Sequence, residues 1–394
     1  MTKATTDSAA AQPPKTLWEK VLAYTPVVMT VIATLLAGLS NSELSSAQYD
    51  RAAGAQWQSK AADQWNFFQV KKIRGLSMDN TVDLLDSTAG GGEFNAAWEE
   101  PRLLALAQRA AAASREASNG TITAKPDPGH KDVFDSEKSE LNAKAETFGN
   151  ACNGVAYLIR QPGAAEALGQ AMNPPDFEPV AIRDSKIAAA AAAIESSKPD
   201  EELSPLVRAV KPQALDEEFK TYNVRSAALD AAIGPIGKRL DEVRPLVEEM
   251  CVSAESCARA ARGLATMTGQ EESEASRMRH AVSELEAVAA ESRGIAAGFA
   301  KLRLRFGVRR YSMEAPINQQ LALLTEIRVH QANISAEDHR KRSRLFFVGV
   351  LIAQAAVIGA TLALAVKQKS VLWSLAAVAG LAAISFGVYV RFFV

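Results

Sequence analysis

Two long stretches near the C-terminus constrain this chain more than anything else in it. Leu345 to Val366 reads LFFVGVLIAQAAVIGATLALAV, twenty-two residues without a charge, and after KQKS a second charge-free run of twenty follows from Val371 to Val390. A bilayer core of roughly 30 Å takes about 20 apolar helical residues to cross. Backbone in hydrocarbon must satisfy its own hydrogen bonds, so each run is expected to be a helix. Four residues between them allow only a tight antiparallel hairpin. A third run, Val21 to Leu39 (VLAYTPVVMTVIATLLAGL), has nineteen residues without a charge, with Trp18 and Tyr24 at its start, where interfacial aromatics belong. A cleaved signal peptide is the rival reading. The run is long for a signal core and the only cleavage candidate, Gly38-Leu39-Ser40, is weak, so an uncleaved span is favoured.

Small residues recur every fourth position in the C-terminal runs: Ala355, Gly359 and Ala363 in the first, Ala376 and Gly380 in the second. Such faces let helices approach closely where packing drives association. They are expected to close the hairpin, or to leave a face for a second copy. Gln354 is the one strongly polar side chain in either run. No Asp, Glu, Lys, Arg or His lies within them, which argues against a proton relay or ion pathway.

Outside these runs the chain is polar and Ala-rich. A formal charge of -1 makes no field for nucleic acid, and no nucleic-acid partner is expected. Aromatics are scarce at 6%, which suits long helices better than a β-sandwich. The three cysteines, Cys152, Cys251 and Cys257, make neither a CxxC nor a disulfide framework.

In chain order, 1–16 reads as a disordered tail and 17–40 as the first span. From 41 to 75 a proline-free helix carries Trp57, Ala61, Trp65 and Phe68 at steps of four, four and three, a packing stripe on one side. Gly75 is a natural stop, and 76–92 reads as a linker ending in three glycines. The region 93–315 is predicted as an Ala-rich helical domain with alternating charge, like a solvated bundle or coiled coil. Within it, Gln213–Gly234 and Gly237–Arg262 are predicted as separate helices, with Pro245 a further break. Pro199, Pro205 and Pro212 punctuate the chain before them. Residues 301–311 (KLRLRFGVRRY) alternate like a strand between helical flanks, and helix is expected. A last helix, 316–344, begins at Pro316 and runs into the span at Leu345, with Arg340, Lys341, Arg342 and Arg344 just outside it. Those cations read as a topology signal, and secondarily as lipid contacts.

No catalytic constellation is present. His130, His280, His330 and His339 are scattered, and there is no HExxH, no metal-spaced Cys/His pair, no GxxxxGK[ST] and no GxSxG. Gly90-Gly91-Gly92 lacks the strand and GK of a phosphate loop. Glu337, Asp338 and His339 suggest a relay only weakly, and a solvated helix end is the expected reading. Two glycosylation sequons, at Asn119 and Asn333, are of low specificity. No catalytic residue, cofactor or metal site is assigned, and no enzymatic activity is expected.

Two stretches carry a family resemblance. SAQYDRAAGAQWQSKAADQWNFFQVKKIRG at 46–75 resembles the post-membrane helix of uncharacterised bacterial membrane proteins of the domain of unknown function 4337 type. Residues 309–365 resemble the same family's C-terminal helix and spans. Asp63, Gln64, Trp65, Gln69, Lys71, His339, Arg340, Arg344, Phe346, Phe347 and Gln354 carry the match, over roughly 17–80 and 300–394; 81–299 matches nothing recognised. The resemblance implies a three-span bacterial inner-membrane protein and supplies no activity.

The sequence thus predicts an all-α protein: one N-terminal transmembrane helix, a large helical, coiled-coil-like soluble domain, and a hairpin of spans at 345–366 and 371–391. The helices 41–75 and 316–344 are expected to pair antiparallel as a stalk, with the aromatic stripe against Leu321 and Leu324. Basic residues near the span ends lean toward a cytoplasmic domain. The expected partners are the lipid bilayer and another protein, or a second copy, through the helical domain. The functional expectation is a membrane-anchored scaffold, with a sensor or regulatory protein as the alternative.

Overall fold

Nine helices and no strand make up the described part of the chain. The computed structural model describes residues 17–88, 92–119, 128–172, 181–267, 272–365 and 369–393. The helices are α1 (Leu17–Thr88), α2 (Ala96–Ser118), α3 (Pro128–Arg160), α4 (Ala164–Met172), α5 (Ser185–Glu195), α6 (Asp200–Ala209), α7 (Pro212–Met267), α8 (Glu272–Ala365) and α9 (Lys369–Phe393). The tail 1–16, most of the 119–131 loop with its sequon, the NPPDFEP segment, Gly90 and Gly91, and most of the KQKS turn lie outside the described residues.

Several boundaries differ from those predicted. Gly75 does not end the first helix, which continues through the supposed linker to Thr88. Gly75 instead lies inside α1 facing Tyr311 of α8, whose Cβ would be in ordinary contact, at 3.5 Å, with a Cβ added there. The two helices predicted around Pro235 and Pro245 are the single helix α7. A proline removes one helical hydrogen bond and crowds the carbonyl four residues back. Both prolines, and the residues four before each, are on the exposed side, where water can take the freed carbonyl. Pro316 lies inside α8, which includes residues 301–311 and both helices predicted on either side of them.

The chain divides into two compact units, neither continuous in sequence. One comprises Met1–Ala61, Asp184–Lys211 and Leu323–Val394, the other Ala62–Arg183 and Pro212–Ala322. This corrects the linear domain order, because α5 and α6, predicted within the 93–315 domain, belong with the charge-free runs. Asp184 caps α5 by accepting from the Lys186 and Ile187 amides at 2.8 and 3.2 Å. The alanine run then buries Ala190, Ala191 and Ala193. Asp200, Glu201 and Glu202 sit in the first turn of α6, where they complement the helix dipole. In the same unit Gln331 of α8 donates to the Val210 carbonyl at 2.9 Å, and Arg208 pairs with Asp338 at 2.9 Å.

The second unit has the core expected of a protein in water. Leu103, Leu106, Leu141, Phe148, Leu215, Leu229, Ile233, Ile236 and Met250 are fully buried. They come from α2, α3 and α7, whose apolar stripes face one another. Gly163, at φ +76°, turns the chain from α3 into α4, a conformation costly for a residue with a Cβ. Here the end of α1 runs antiparallel to α8: Lys71 meets Glu314, Met78 meets Gly307 and Asp86 meets Lys301.

The first unit inverts that pattern along its charge-free runs. Its core is mostly small: Ala33, Ala353, Ala356, Ala360, Ala363, Ala376 and Ala383 are buried, with Leu36, Phe346 and Val350 among them. The large apolar side chains point outward, Leu35 being 63% exposed and Val378 65%.

Gly298 offers a test of the packing in the second unit. An alanine in a helix interior is ordinarily about 1 kcal/mol better than glycine. A Cβ at Gly298, however, would lie 2.9 Å from the Gly92 backbone oxygen. Beside it Phe94 packs edge-on against Phe299, with ring centroids 5.3 Å apart. Gly298→Ala should therefore destabilise the fold, by about 1–3 kcal/mol, measured by urea unfolding. A gain in stability would contradict this packing.

Candidate functional site

The densest polar cluster in the first unit lies where the charge-free runs end. Ser40, one residue past the Val21–Leu39 run, and Ser343, two before Leu345, bind reciprocally. The Ser40 hydroxyl donates to the Ser343 carbonyl at 3.0 Å and the Ser343 hydroxyl to the Ser40 carbonyl at 2.9 Å, both buried. One turn along α1, Glu43 lies 2.6 Å from Nδ1 of His339, and its other oxygen is 3.9 Å from Arg391 at the end of α9. Nε2 of the same ring faces Asp50 at 3.8 Å, and Asp50 accepts a 2.6 Å hydrogen bond from Ser335. Two helices, α1 and α8, thus place one imidazole between two carboxylates, and α9 adds a guanidinium beside one of them. Glu43 is only 12% exposed, so each of its contacts counts for more than a surface ion pair.

Sequence reasoning missed this cluster because its members are nearly 300 residues apart. It looked for a relay among Glu337, Asp338 and His339, yet in a helix adjacent residues point to different sides. Asp338 pairs with Arg208 and Glu337 with Lys341, at 3.5 Å, while His339 turns to Glu43. The pairing of α1 and α8 in this unit, with Gly54 3.1 Å (as an added Cβ) from Asn333 Oδ1, is what brings His339 to Glu43.

The predicted residues take the following places. Of the basic cluster, Arg340 and Arg344 are exposed with no ion pair among the described residues, Lys341 pairs with Glu337, and Arg342 is half-buried with its Nε lacking a partner. Of the stripe, Ala61 is buried and Trp57, Trp65 and Phe68 are half-buried, not enclosed. Trp57 has the Lys60 ammonium 4.2 Å and the Arg328 guanidinium 5.7 Å from its ring centroid, while Trp65 and Phe68 meet edge to face at 5.7 Å. Of the small-residue faces, Gly359 packs on Ala376 at 3.5 Å as an added Cβ, and Ala363 is buried. Gly380 instead admits Met29 of α1, and Gly387, which was not singled out, admits Leu36. Ala355 is exposed; the buried register of that helix is Ala353, Ala356 and Ala360. A third helix, α1, packs beside the hairpin and shares its buried face, which a two-helix picture does not capture.

A groove of about 410 Å³ opens between the starts of α1 and α9, lined by Tyr24, Thr25, Met29, Trp373 and Leu381. The Trp373 indole donates to the Thr25 hydroxyl at 3.0 Å.

In the second unit, charge is arranged for cohesion. Arg102 and Arg109 of α2 reach Glu291 of α8 at 2.6 and 2.9 Å, and Arg109 also reaches Glu284 at 3.2 Å. Burial works to raise the Glu291 pKa, but the two arginines outweigh it and hold it low. Glu99, 8% exposed and beside Arg102, goes the other way, because burial pushes its pKa up more than Arg102 pulls it down. The buried cysteines are poor nucleophiles: burial pushes Cys152 up to about 12 and Cys257 to about 11. No group of three His, Cys, Asp or Glu that could hold a metal occurs among the described residues.

These features define an all-helical protein in which three helices are long and apolar enough to cross a membrane. Residues 18–153 match the model of a family described as Domain of unknown function (DUF4337), a stretch that takes in α1, α2 and most of α3. The resemblance read at 46–75 is to this family. Its reach is longer than that reading allowed, since 81–153 is included, and the stretch 309–365 falls outside the matched residues. No curated protein and no solved structure matches the chain.

Two outcomes are expected. His339→Ala should lower the stability of the purified chain by about 1–3 kcal/mol, since it strips a buried carboxylate of its nearest partner; thermal unfolding reads this, and an unchanged midpoint would contradict it. Glu99 and Glu291 should respond oppositely. The Glu291 pKa is lowered by folding, so its contribution is full above the ordinary glutamate range and is lost as pH falls through the lowered value. The Glu99 pKa is raised, so its charged form opposes folding at neutral pH and the opposition lifts as pH falls. At pH 7, Glu291→Gln should lower the unfolding free energy read by urea denaturation by up to about 1 kcal/mol and Glu99→Gln should raise it, and both differences should fade toward pH 3.

Proposed function

We propose that this chain is an integral membrane protein that tethers a helical domain to the bilayer and acts as a scaffold for other proteins, with no catalytic turnover. One observation carries the membrane part: along three charge-free helices the small residues are inside and the large apolar ones outside. In water that surface would be a patch well beyond what soluble monomers expose. In hydrocarbon it is the ordinary arrangement, because lipid tails solvate Leu and Val while small residues let helices pack. The Ser40–Ser343 pair and the Glu43–His339 contact begin where the charge-free runs stop, as expected where water returns.

The scaffold part rests on the second unit. Ion pairs tie its helices together, as between α2 and α8, its buried thiols are suppressed, and its large grooves are lined by amides, small residues and charges. The bacterial inner membrane is the proposed location. Arg51, Lys60, Arg340, Lys341, Arg342, Arg344 and Arg391 on the domain side, against Lys3, Lys15, Lys20, Lys367 and Lys369 on the other, favour a cytoplasmic domain.

A second reading, a sensor or regulatory protein, is favoured by the imidazole at the rim, where His339 of α8 meets Glu43 and Asp50 of α1 and Glu43 in turn meets Arg391 of α9, so that one cluster links three helices.

The membrane reading expects the intact chain to stay in the pellet after alkaline carbonate extraction; release to the supernatant would refute it. Cross-linked pull-down from solubilised membranes, read by mass spectrometry, addresses the scaffold. A stoichiometric partner supports it, and recovery of the chain alone as a monomer would refute it.

A further inference from the structure

The outer face of α8 in its charge-free run carries a seam that the three-helix core does not use. Phe347, Leu351, Gln354, Ile358, Thr361 and Ala365 follow one another at steps of four, three, four, three and four, and all six are exposed. A 3.5-residue period keeps one face turned to a partner helix along its length, the pattern of a left-handed helix pair. The buried register of the same helix, Ala353, Ala356, Ala360 and Ala363, is already spent on α1 and α9.

The seam's middle residue is an amide. Gln354 follows nine charge-free residues and precedes twelve, so it lies about 14 Å of helix from the start of the run. A glutamine side chain cannot reach water over that distance. Polar groups elsewhere in these runs are satisfied locally: Thr361 donates to the Ile358 carbonyl at 2.8 Å, Thr30 to Pro26 at 2.8 Å and Thr34 to Thr30 at 2.9 Å. Gln354 has no such bond among the described residues, and its side chain faces away from α1 and α9. An amide left in hydrocarbon without a partner is costly.

We infer that this seam is a homodimer interface, with Gln354 of each copy bonded to Gln354 of the other. The occupant follows from the chemistry of the group. An amide carries both donor and acceptor, so it is complementary to itself. Two copies inserted in the same sense run their α8 helices parallel, and a two-fold axis along the bilayer normal then sets each seam residue opposite its own counterpart. The NH₂ of one Gln354 donates to the carbonyl oxygen of the other, and the reverse. Leu351 and Ile358 flank the amide as the apolar positions of the same seam. The inference rests on the membrane reading above, because in water the amide would need no partner.

The test uses the full chain in native membranes, with Cys251→Ser to remove the half-buried thiol. The I358C variant should form a disulfide-linked species of twice the chain mass on mild oxidation, while V378C, on the exposed side of α9, should not. Adding Gln354→Leu to I358C should cut the cross-linked fraction about tenfold, within the range of interhelical side-chain hydrogen bonds in membranes, and Gln354→Asn should retain most of it. Carbonate extraction is run on every sample. If the chains stay in the pellet but I358C fails to cross-link, cross-links no better than V378C, gives an adduct of another mass, or ignores Gln354→Leu, the dimer is wrong and the membrane reading stands. If the parent chain is washed off by carbonate, both fall.

Discussion

Much in this protein depends on how closely α1 and α8 approach each other. Both are long, both carry a charge-free run, and within each compact unit they run antiparallel, with small residues at the points of contact. In the first unit Gly349 admits Leu36, Ser40 and Ser343 exchange hydrogen bonds with each other's backbone, and Gly54 fits beside Asn333. In the second, Gly75 sits against Tyr311 and Gly307 against Met78. Side chains of ordinary size at these positions would push the helices apart, and the polar contacts, which work only at hydrogen-bond distance, would open. The Glu43–His339 and Lys71–Glu314 pairs exist because the backbone lets them.

The two units bury opposite kinds of side chain. In the second, large apolar side chains such as Phe148, Leu103 and Ile236 are enclosed, the arrangement that removing apolar area from water produces. In the first, alanine and glycine are enclosed and Leu35, Ile358 and Val378 face out. The hydrophobic effect cannot drive that choice, whereas close packing among small residues in a lipid solvent can. The rim residues mark the change from one regime to the other, where hydroxyls, carboxylates and an imidazole appear together.

The family comparison fits this picture without adding chemistry. It covers α1 and the first helices of the second unit, so the matched domain includes residues of both units. Residues 81–153 of the central region fall within that match.

Some of this was legible in the linear sequence, and the reason is periodicity and charge. The three helices long and apolar enough to cross a membrane and the all-helical class follow from runs and spacings a few residues long, which local physics governs. Helix ends were less legible, and the Asp184 cap of α5 came to light only in the structure. They were misread at Gly75, Pro235 and Pro245, because whether a glycine or proline ends a helix depends on what packs beside it and whether water reaches the freed carbonyl. The partners of His339, the assignment of α5 and α6 to the unit of the charge-free runs, the register of buried alanines and the outward turn of Gln354 were decided by tertiary structure alone. Each depends on which side of one helix meets another hundreds of residues away, and nothing in a short window of sequence carries that direction.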